Sequence, residues 1–223
     1  MATTAPVKTR PDQEPLPRRM QHLPVDPDRG YVVPWFVEWL NGKPEFRAMN
    51  GKNYVRAIRE KLCWVCGQKL ETRFAFLAGP MCGINRTSAE PPSHVECARW
   101  SARNCPFLSN PNMVRREDEL VDGSKFRENA PGVAITRNPG VALVWITREY
   151  EIYDDGNGRP LIMIGRPHEV EFYCRGRVAT RAEIDDSIAN GIAALEAVAR
   201  TEEGGIEALR KMQRQFEKLL PKK

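Results

Sequence analysis

An α+β fold is predicted from three features of the chain. Short β-branched and aromatic runs broken by Asn-Gly and Pro-Gly turns mark antiparallel strands, a Cys-x-x-Cys-Gly stretch precedes a His-x-x-Cys at a helix start, and an apolar stripe at helical spacing follows Thr180. At 223 residues, 41% hydrophobic and 28% charged, the chain has enough apolar material for one core plus appendages. It has no apolar run near the roughly 20 residues that cross a bilayer, which excludes a membrane-spanning protein and leaves no expected membrane partner.

The first thirty residues hold six of the 18 prolines, interleaved with charges, and are expected to form a disordered Pro-rich arm over 1–30. Met1 to Arg29 also lacks the apolar stretch of a secretory signal, so a reducing cytoplasmic setting is expected, with the six cysteines as metal ligands or buried thiols. At Tyr31 the composition turns aromatic and β-branched through Leu40. Asn41-Gly42 then supplies a type I′ turn before Lys43 to Arg47, which reads as a β-hairpin. Asn53 to Leu62 fits a short amphipathic helix, Arg73 to Ala78 a strand, and Met81 to Pro92 a polar loop. A charged excursion spans Asn110 to Ala130. Strands at Gly132 to Thr136, Val141 to Thr147, Leu161 to Ile164 and Val170 to Cys174 predict an antiparallel meander over about 131–176.

Beyond it, Thr180 and Glu183 form a capping box, followed by Ile184, Ile188, Ile192 and Leu195 at a spacing of three to four. Gly204-Gly205 interrupts the pattern, and Ile206, Leu209, Met212 or Gln213, Phe216 and Leu219 form a second stripe that ends at Pro221. The expected organisation is therefore a metal-stabilised α+β domain over 31–200 and a C-terminal amphipathic helix over 201–223, which could also support a homo-oligomer.

Two thiolates at Cys63 and Cys66 can converge on one ion, and Gly67 lets the backbone fold back with its amides toward sulfur. Further along, Ser93 and Glu96 have the spacing of a capping box, which would place His94 and Cys97 on one face of the first helical turn. Three thiolates and an imidazole from a knuckle and a helix start predict a treble-clef-like zinc unit over about 60–108, with Cys63, Cys66, His94 and Cys97 as ligands and Zn2+ as cofactor. Cys82 or Cys105 could replace one of the four. Cys174, alone in a strand, reads as packing.

A catalytic zinc keeps an open position for water. His94 and Glu96 with a Cys-x-x-Cys invite comparison with zinc deaminases, in which one His and two Cys bind the metal and a Glu moves protons. Here the order is reversed, no proline precedes the cysteine pair, and Cys97 stands ready to fill the open position. No catalytic residue is assigned. The expected function is a non-enzymatic, zinc-finger-like binding module for nucleic acid or a host protein, with Arg56, Arg59, Lys61, Arg73, Arg99 and Arg103 as the candidate nucleic-acid face. The alternative is a small-molecule or nucleotide-acting zinc enzyme of deaminase or hydrolase type. It would use the 79–90 loop, where Asn85, Arg86, Ser88 and Glu90 are candidate ligand-binding residues.

The net charge of +5 lies mostly in residues 31–130, which carry 15 basic and 11 acidic groups. At Cys63-Trp-Val-Cys66-Gly67, Gly79-Pro-Met-Cys82, Asn85-Arg86, Ala89-Glu-Pro-Pro-Ser-His94, Cys97-Ala98 and Cys105-Pro-Phe-Leu108 the chain resembles a group of uncharacterised proteins of bacteria and their phages. The likeness covers residues 30–195 and implies a bacteriophage or prophage context and shared zinc ligands. It brings no activity with it.

Overall fold

Asn41 and Gly42 adopt φ values of 50° and 77°, the two left-handed positions of the expected turn. They join β1 (Val37–Leu40) to β2 (Lys43–Met49) as an antiparallel hairpin. The computed structural model describes residues 13–111, 113, 138–154, 156 and 160–222. Helix α1 (Gly51–Glu60) begins earlier than the apolar pattern suggests, because the Asn50 side chain accepts a hydrogen bond from the Asn53 amide and caps it. It ends at Lys61, which is left-handed at φ 52°.

Next come β3 (Phe74–Ala78), α2 (Pro80–Asn85), β4 (Thr87–Ser88), α3 (Val95–Asn104) and α4 (Pro106–Ser109). The stretch read as a polar loop over Met81 to Pro92 is thus partly helical. Pro80 is preset for a first helical turn, and Met81 and Ile84 are buried against the core. The strands β5 (Ala142–Thr147), β6 (Tyr150–Asp154), β7 (Pro160–Ile164), β8 (Glu169–Cys174) and β9 (Arg177–Val178) precede helices α5 (Arg181–Ala199) and α6 (Gly205–Glu217). The expected strand at Gly132 to Thr136 and most of the charged excursion lie outside the described residues.

The strands do not form one meander. The described strands form three antiparallel sheets, ordered β1-β2, β3-β5-β8-β9 and β4-β7-β6. The reason lies in β5: all six of its residues are buried, so it must be central and covered on both faces, and it pairs with β3 on one side and β8 on the other. β6 is exposed from Glu151 to Asp154 and among the described residues pairs only with β7.

The four-stranded sheet separates two packing layers. Phe76, Leu143, Trp145 and Phe172 face the C-terminal helices, where Phe216 stacks on Trp145 at 6.5 Å and Ile184, Leu209 and Leu220 close the core. On the opposite face, Ala75, Ala142, Val144 and Ile146 meet Ala98 and Ala102 of α3, and the small side chains bring this helix close to the sheet. The Thr180 capping box forms as expected. The C-terminal segment is not a separate appendage, since Leu209, Phe216 and Leu220 belong to the main core.

The N-terminal arm also needs correction. Residues 1–12 lie outside the described part, but 13–30 are packed: Met20 is fully buried, Leu23 nearly so, and Val25 bridges Val32. Apolar residues spaced between the prolines find a surface on which to bury, which outweighs the ordering entropy that the composition alone suggests. Among the tryptophans, Trp64, Trp100 and Trp145 are buried, Trp35 is half-buried, and Trp39 is exposed. No helix of the described residues is long and apolar enough to cross a membrane.

Candidate metal centre

The sequence from Cys63 to Gly67 folds back on itself through two backbone hydrogen bonds. Gly67 N–H donates to Cys63 O at 2.8 Å, and Cys63 N–H donates to Gln68 O at 2.7 Å. Gly67 has φ 73°, and a Cβ there would sit 2.7 Å from Cγ of Trp35, so the turn requires glycine on both conformational and steric grounds. The fold-back turns amides toward sulfur. Cys66 N–H points at Cys63 Sγ at 3.4 Å, and His94 N–H reaches the same sulfur at 3.3 Å.

The second half of the cluster comes from the start of α3. Ser93 exchanges two backbone hydrogen bonds with Ala75, extending the edge of β3, and Trp64 N–H donates to Pro92 O at 3.0 Å. These contacts hold the segment extended through Ser93, so His94 becomes the N-cap and α3 begins at Val95. The expected Ser93 and Glu96 capping box is therefore not formed. Glu96 turns outward and pairs with Arg19 at 3.1 Å. His94 and Cys97 still lie three residues apart at the helix entrance, as the shared-face reading requires.

His94 Nε2 lies 2.9 Å from Lys69 O. A carbonyl can only accept, so Nε2 carries a proton and Nδ1 is the ring atom that faces the sulfurs, able to give its lone pair to a metal that displaces its proton. Nδ1 lies 3.3 Å from Cys66 Sγ and 3.9 Å from Cys97 Sγ. All four ligand atoms of Cys63, Cys66, His94 and Cys97 lie within 4.8 Å of one another, close enough to hold one metal ion. Cys63 and Cys97 are 0% exposed, Cys66 1% and His94 2%, so the cluster is closed to bulk water.

Burial and mutual hydrogen bonding pull the ionisation of these groups in different directions. At Cys63 burial opposes ionisation, yet hydrogen bonds from Cys66, Cys97 and His94 outweigh it and hold the thiol well below its usual value. At His94 burial favours the neutral ring, but the bonds to Cys63 and Cys66 dominate and raise it to about 10. Cys97 is pushed up, first by its bond to Cys63 and then by its bond to Cys66. The pocket concentrates negative charge at sulfur and compensates it with protons, the task a dication would take over.

A second layer around these residues comes from the N-terminal segment, which the sequence reading missed. His22 Nε2 donates to Cys66 O at 3.0 Å, and Gln68 Nε2 approaches His22 Nδ1 at 3.4 Å. Met20 and Leu23 pack in the same apolar cluster as Cys63, Cys66, Cys97 and Trp100. Glu14 fastens the segment to α3, accepting from Trp100 Nε1 at its backbone carbonyl and pairing with Arg103 at 2.8 Å through its carboxylate. The available signal was the apolar run Met20, Leu23, Val25, too sparse for any periodicity test.

The remaining cysteines stay apart from the cluster. Cys82 sits in α2, with burial and then the nearby Glu90 charge raising its thiol to about 11. Cys105 links α3 to α4, and Cys174 is buried in β8. The candidate ligand residues of the 79–90 loop are engaged with the fold itself. Asn85 Oδ1 accepts from Thr87 N–H at 3.0 Å, and Arg86 donates through Nε to Ile164 O at 2.9 Å. Ser88 Oγ donates to Glu90 O at 2.9 Å and accepts from Glu90 N–H at 3.1 Å.

The candidate nucleic-acid face is largely neutralised. Arg56 and Arg59 both pair with Glu60, Arg73 with Glu169, Arg99 with Glu171 and Glu169, and Arg103 with Glu14. Lys61 is exposed at the end of α1. The two glutamates of β8 carry much of this pairing and lie on the sheet face that meets α3. Tested against protein-family models, curated proteins and solved structures, the chain matches none of them.

Proposed function

We propose that Cys63, Cys66, His94 and Cys97 bind one zinc ion in a treble-clef arrangement, that the zinc is structural, and that the protein is a non-enzymatic binding module for nucleic acid or a host protein. The observation that carries this reading is the closed ligand set: four buried donors within 4.8 Å, three sulfurs and one imidazole nitrogen. Zinc–sulfur bonds of about 2.3 Å and zinc–nitrogen bonds of about 2.0–2.1 Å give tetrahedral edges of about 3.5–3.8 Å. The 3.3 and 3.9 Å separations of His94 Nδ1 from two sulfurs are close to that. Thiolate-rich tetrahedral sites select zinc over the hard cations, and four protein donors leave no position for substrate water.

The deaminase-type alternative is supported less well. It needs a carboxylate beside an open coordination position, whereas Glu96 is paired with Arg19 at the surface and Cys97 supplies a fourth donor. Elemental analysis of the purified protein together with zinc X-ray absorption tests the proposal. The expected result is one zinc per chain with three sulfur ligands and one nitrogen. An oxygen ligand at the zinc would overturn the structural assignment, and a fully folded chain free of metal would overturn the site.

A further inference from the structure

A run of positive charge without ion-pair partners lies on the second half of α6 and the residues that follow it. From Arg210 to Lys222 the chain carries five basic residues (Arg210, Lys211, Arg214, Lys218 and Lys222) and one acidic residue, Glu217, whose carboxylate is taken by Arg181. None of the five has an ion-pair partner among the described residues, and Arg210, Lys211, Arg214 and Lys218 are exposed. At 100° per residue these four fall within an arc of about 100°. Leu209, Met212 and Phe216 take the opposite arc, directed into the core. Arg210, Arg214 and Lys218 follow one another at about 6 Å along the axis. The acidic Glu202, Glu203 and Glu207 gather at the other end of the helix, where its dipole favours them.

We infer that this exposed face of α6 binds the phosphate backbone of nucleic acid without reading its sequence. Cations spaced evenly along a rigid, well-packed helix can each displace a counterion from a polyanion, whereas paired arginines such as Arg99 and Arg103 would first have to break an ion pair. No aromatic side chain shares the face, so bases have nothing on which to stack. A bilayer fits less well. An interfacial helix inserts its apolar side into lipid, and here that side is buried in the core, with Phe216 against Trp145 and Phe172. The inference names a partner class for the binding-module reading but uses a face that owes nothing to the metal ligands, so the two can fail separately.

The test is fluorescence anisotropy of a labelled 20-base-pair DNA duplex, titrated with the full chain at several salt concentrations. Four phosphate contacts predict a slope of log K against log salt of about −3.6. The combined variant Arg210→Ala, Arg214→Ala, Lys218→Ala should weaken binding at least tenfold at low salt and bring the slope to about −1, with zinc content and melting temperature unchanged. A wild-type slope near zero overturns the inference without recourse to any variant. So does preferential binding to phosphatidylserine vesicles, or a loss of duplex binding caused by Arg56→Ala and Arg59→Ala but not by the α6 substitutions. Failure of the metal reading would show instead as absent zinc with duplex binding intact.

Discussion

His22 donates a hydrogen bond to the backbone carbonyl of Cys66 across forty-four positions of chain, at 3.0 Å. The contact ties an N-terminal segment to the turn that presents two of the four candidate ligands. Outer partners of metal ligands hold them in the binding geometry, and their loss typically costs 10–100-fold in metal affinity. Because this bond reaches the knuckle through a carbonyl, the lower end applies. His22→Ala should raise the rate of zinc transfer to a chromogenic chelator by about tenfold while leaving one zinc bound per chain. An unchanged release rate would show that the N-terminal segment only covers the site.

Removing the metal should do more than open a pocket. The three candidate cysteine ligands belong to one apolar cluster with Met20, Leu23, Val65 and Trp100, so thiolate charge there must be balanced inside the core. Structural zinc sites contribute about 10–16 kcal/mol of apparent binding energy at neutral pH, comparable with the whole stability of a domain. Cys97→Ser should therefore lose zinc and melt at far lower temperature, and a strong chelator should reproduce that state in the wild type. Circular dichroism melts with and without added zinc decide it. A chelated protein with an unshifted melt would refute the structural role.

Gly67 provides a sharper local test. Its left-handed backbone and the Trp35 ring packed against it leave no room for a side chain. Gly67→Ala is expected to destabilise the protein by about 1–3 kcal/mol and to weaken zinc binding, since the knuckle must distort to accept a Cβ. Gly42→Ala is the comparison: nothing lies within 4 Å of a Cβ there, so only the backbone strain of its φ of 77° is at stake. Equal losses in stability and zinc affinity for the two variants would remove the packing argument.

Phe216→Ala tests whether the last helix is core. Its ring is 3% exposed, stacks on Trp145 and meets Phe172 edge-on at 6.1 Å. Truncations of this kind cost about 3–5 kcal/mol. A chemical denaturation midpoint that barely moves, or a chain that folds normally without 204–223, would restore the separate-helix reading.

Acid should loosen the start of α5. The Glu183 carboxyl is held at about 2, below its ordinary 4.5, first by the Arg177 guanidinium and then by the Thr180 amide. Since the folded value lies below the unfolded one, the stabilisation is complete above pH 4.5 and is lost as pH falls through the folded value of about 2. Carboxyl chemical shifts followed by NMR should place the Glu183 midpoint near 2, and Glu183→Gln should abolish that transition. A midpoint near 4.5 would mean that the capping box is open in solution.

The candidate metal ligands, the Asn41-Gly42 turn and the Thr180 capping box were legible because each depends on residue type at short spacing. Two thiols three positions apart, two left-handed turn residues, and a threonine followed by a glutamate act through local geometry, and a linear reading captures them. The Ser93 capping box has the same kind of signature yet failed. Ser93 was already paired with Ala75, a partner eighteen residues earlier in the chain, and two backbone bonds to a strand displaced the helix start by one residue.

Chemistry that operates within a few residues specifies the candidate ligand set and the type of most elements. Which strands pair, what becomes of residues 13–30, and which arginines are neutralised depend instead on contacts between distant parts of the chain. β5 sits between β3 and β8 because all its side chains need cover on both faces. Met20 and Leu23 are buried because Cys63, Cys66, Cys97 and Trp100 offer them an apolar surface. The arginines of α3 lose their free charge because β8 brings Glu169 and Glu171 beside Arg99, and the N-terminal segment brings Glu14 beside Arg103. Burial and ion pairing depend on neighbours in space, and here those neighbours come from distant parts of the chain, some seventy to ninety positions away.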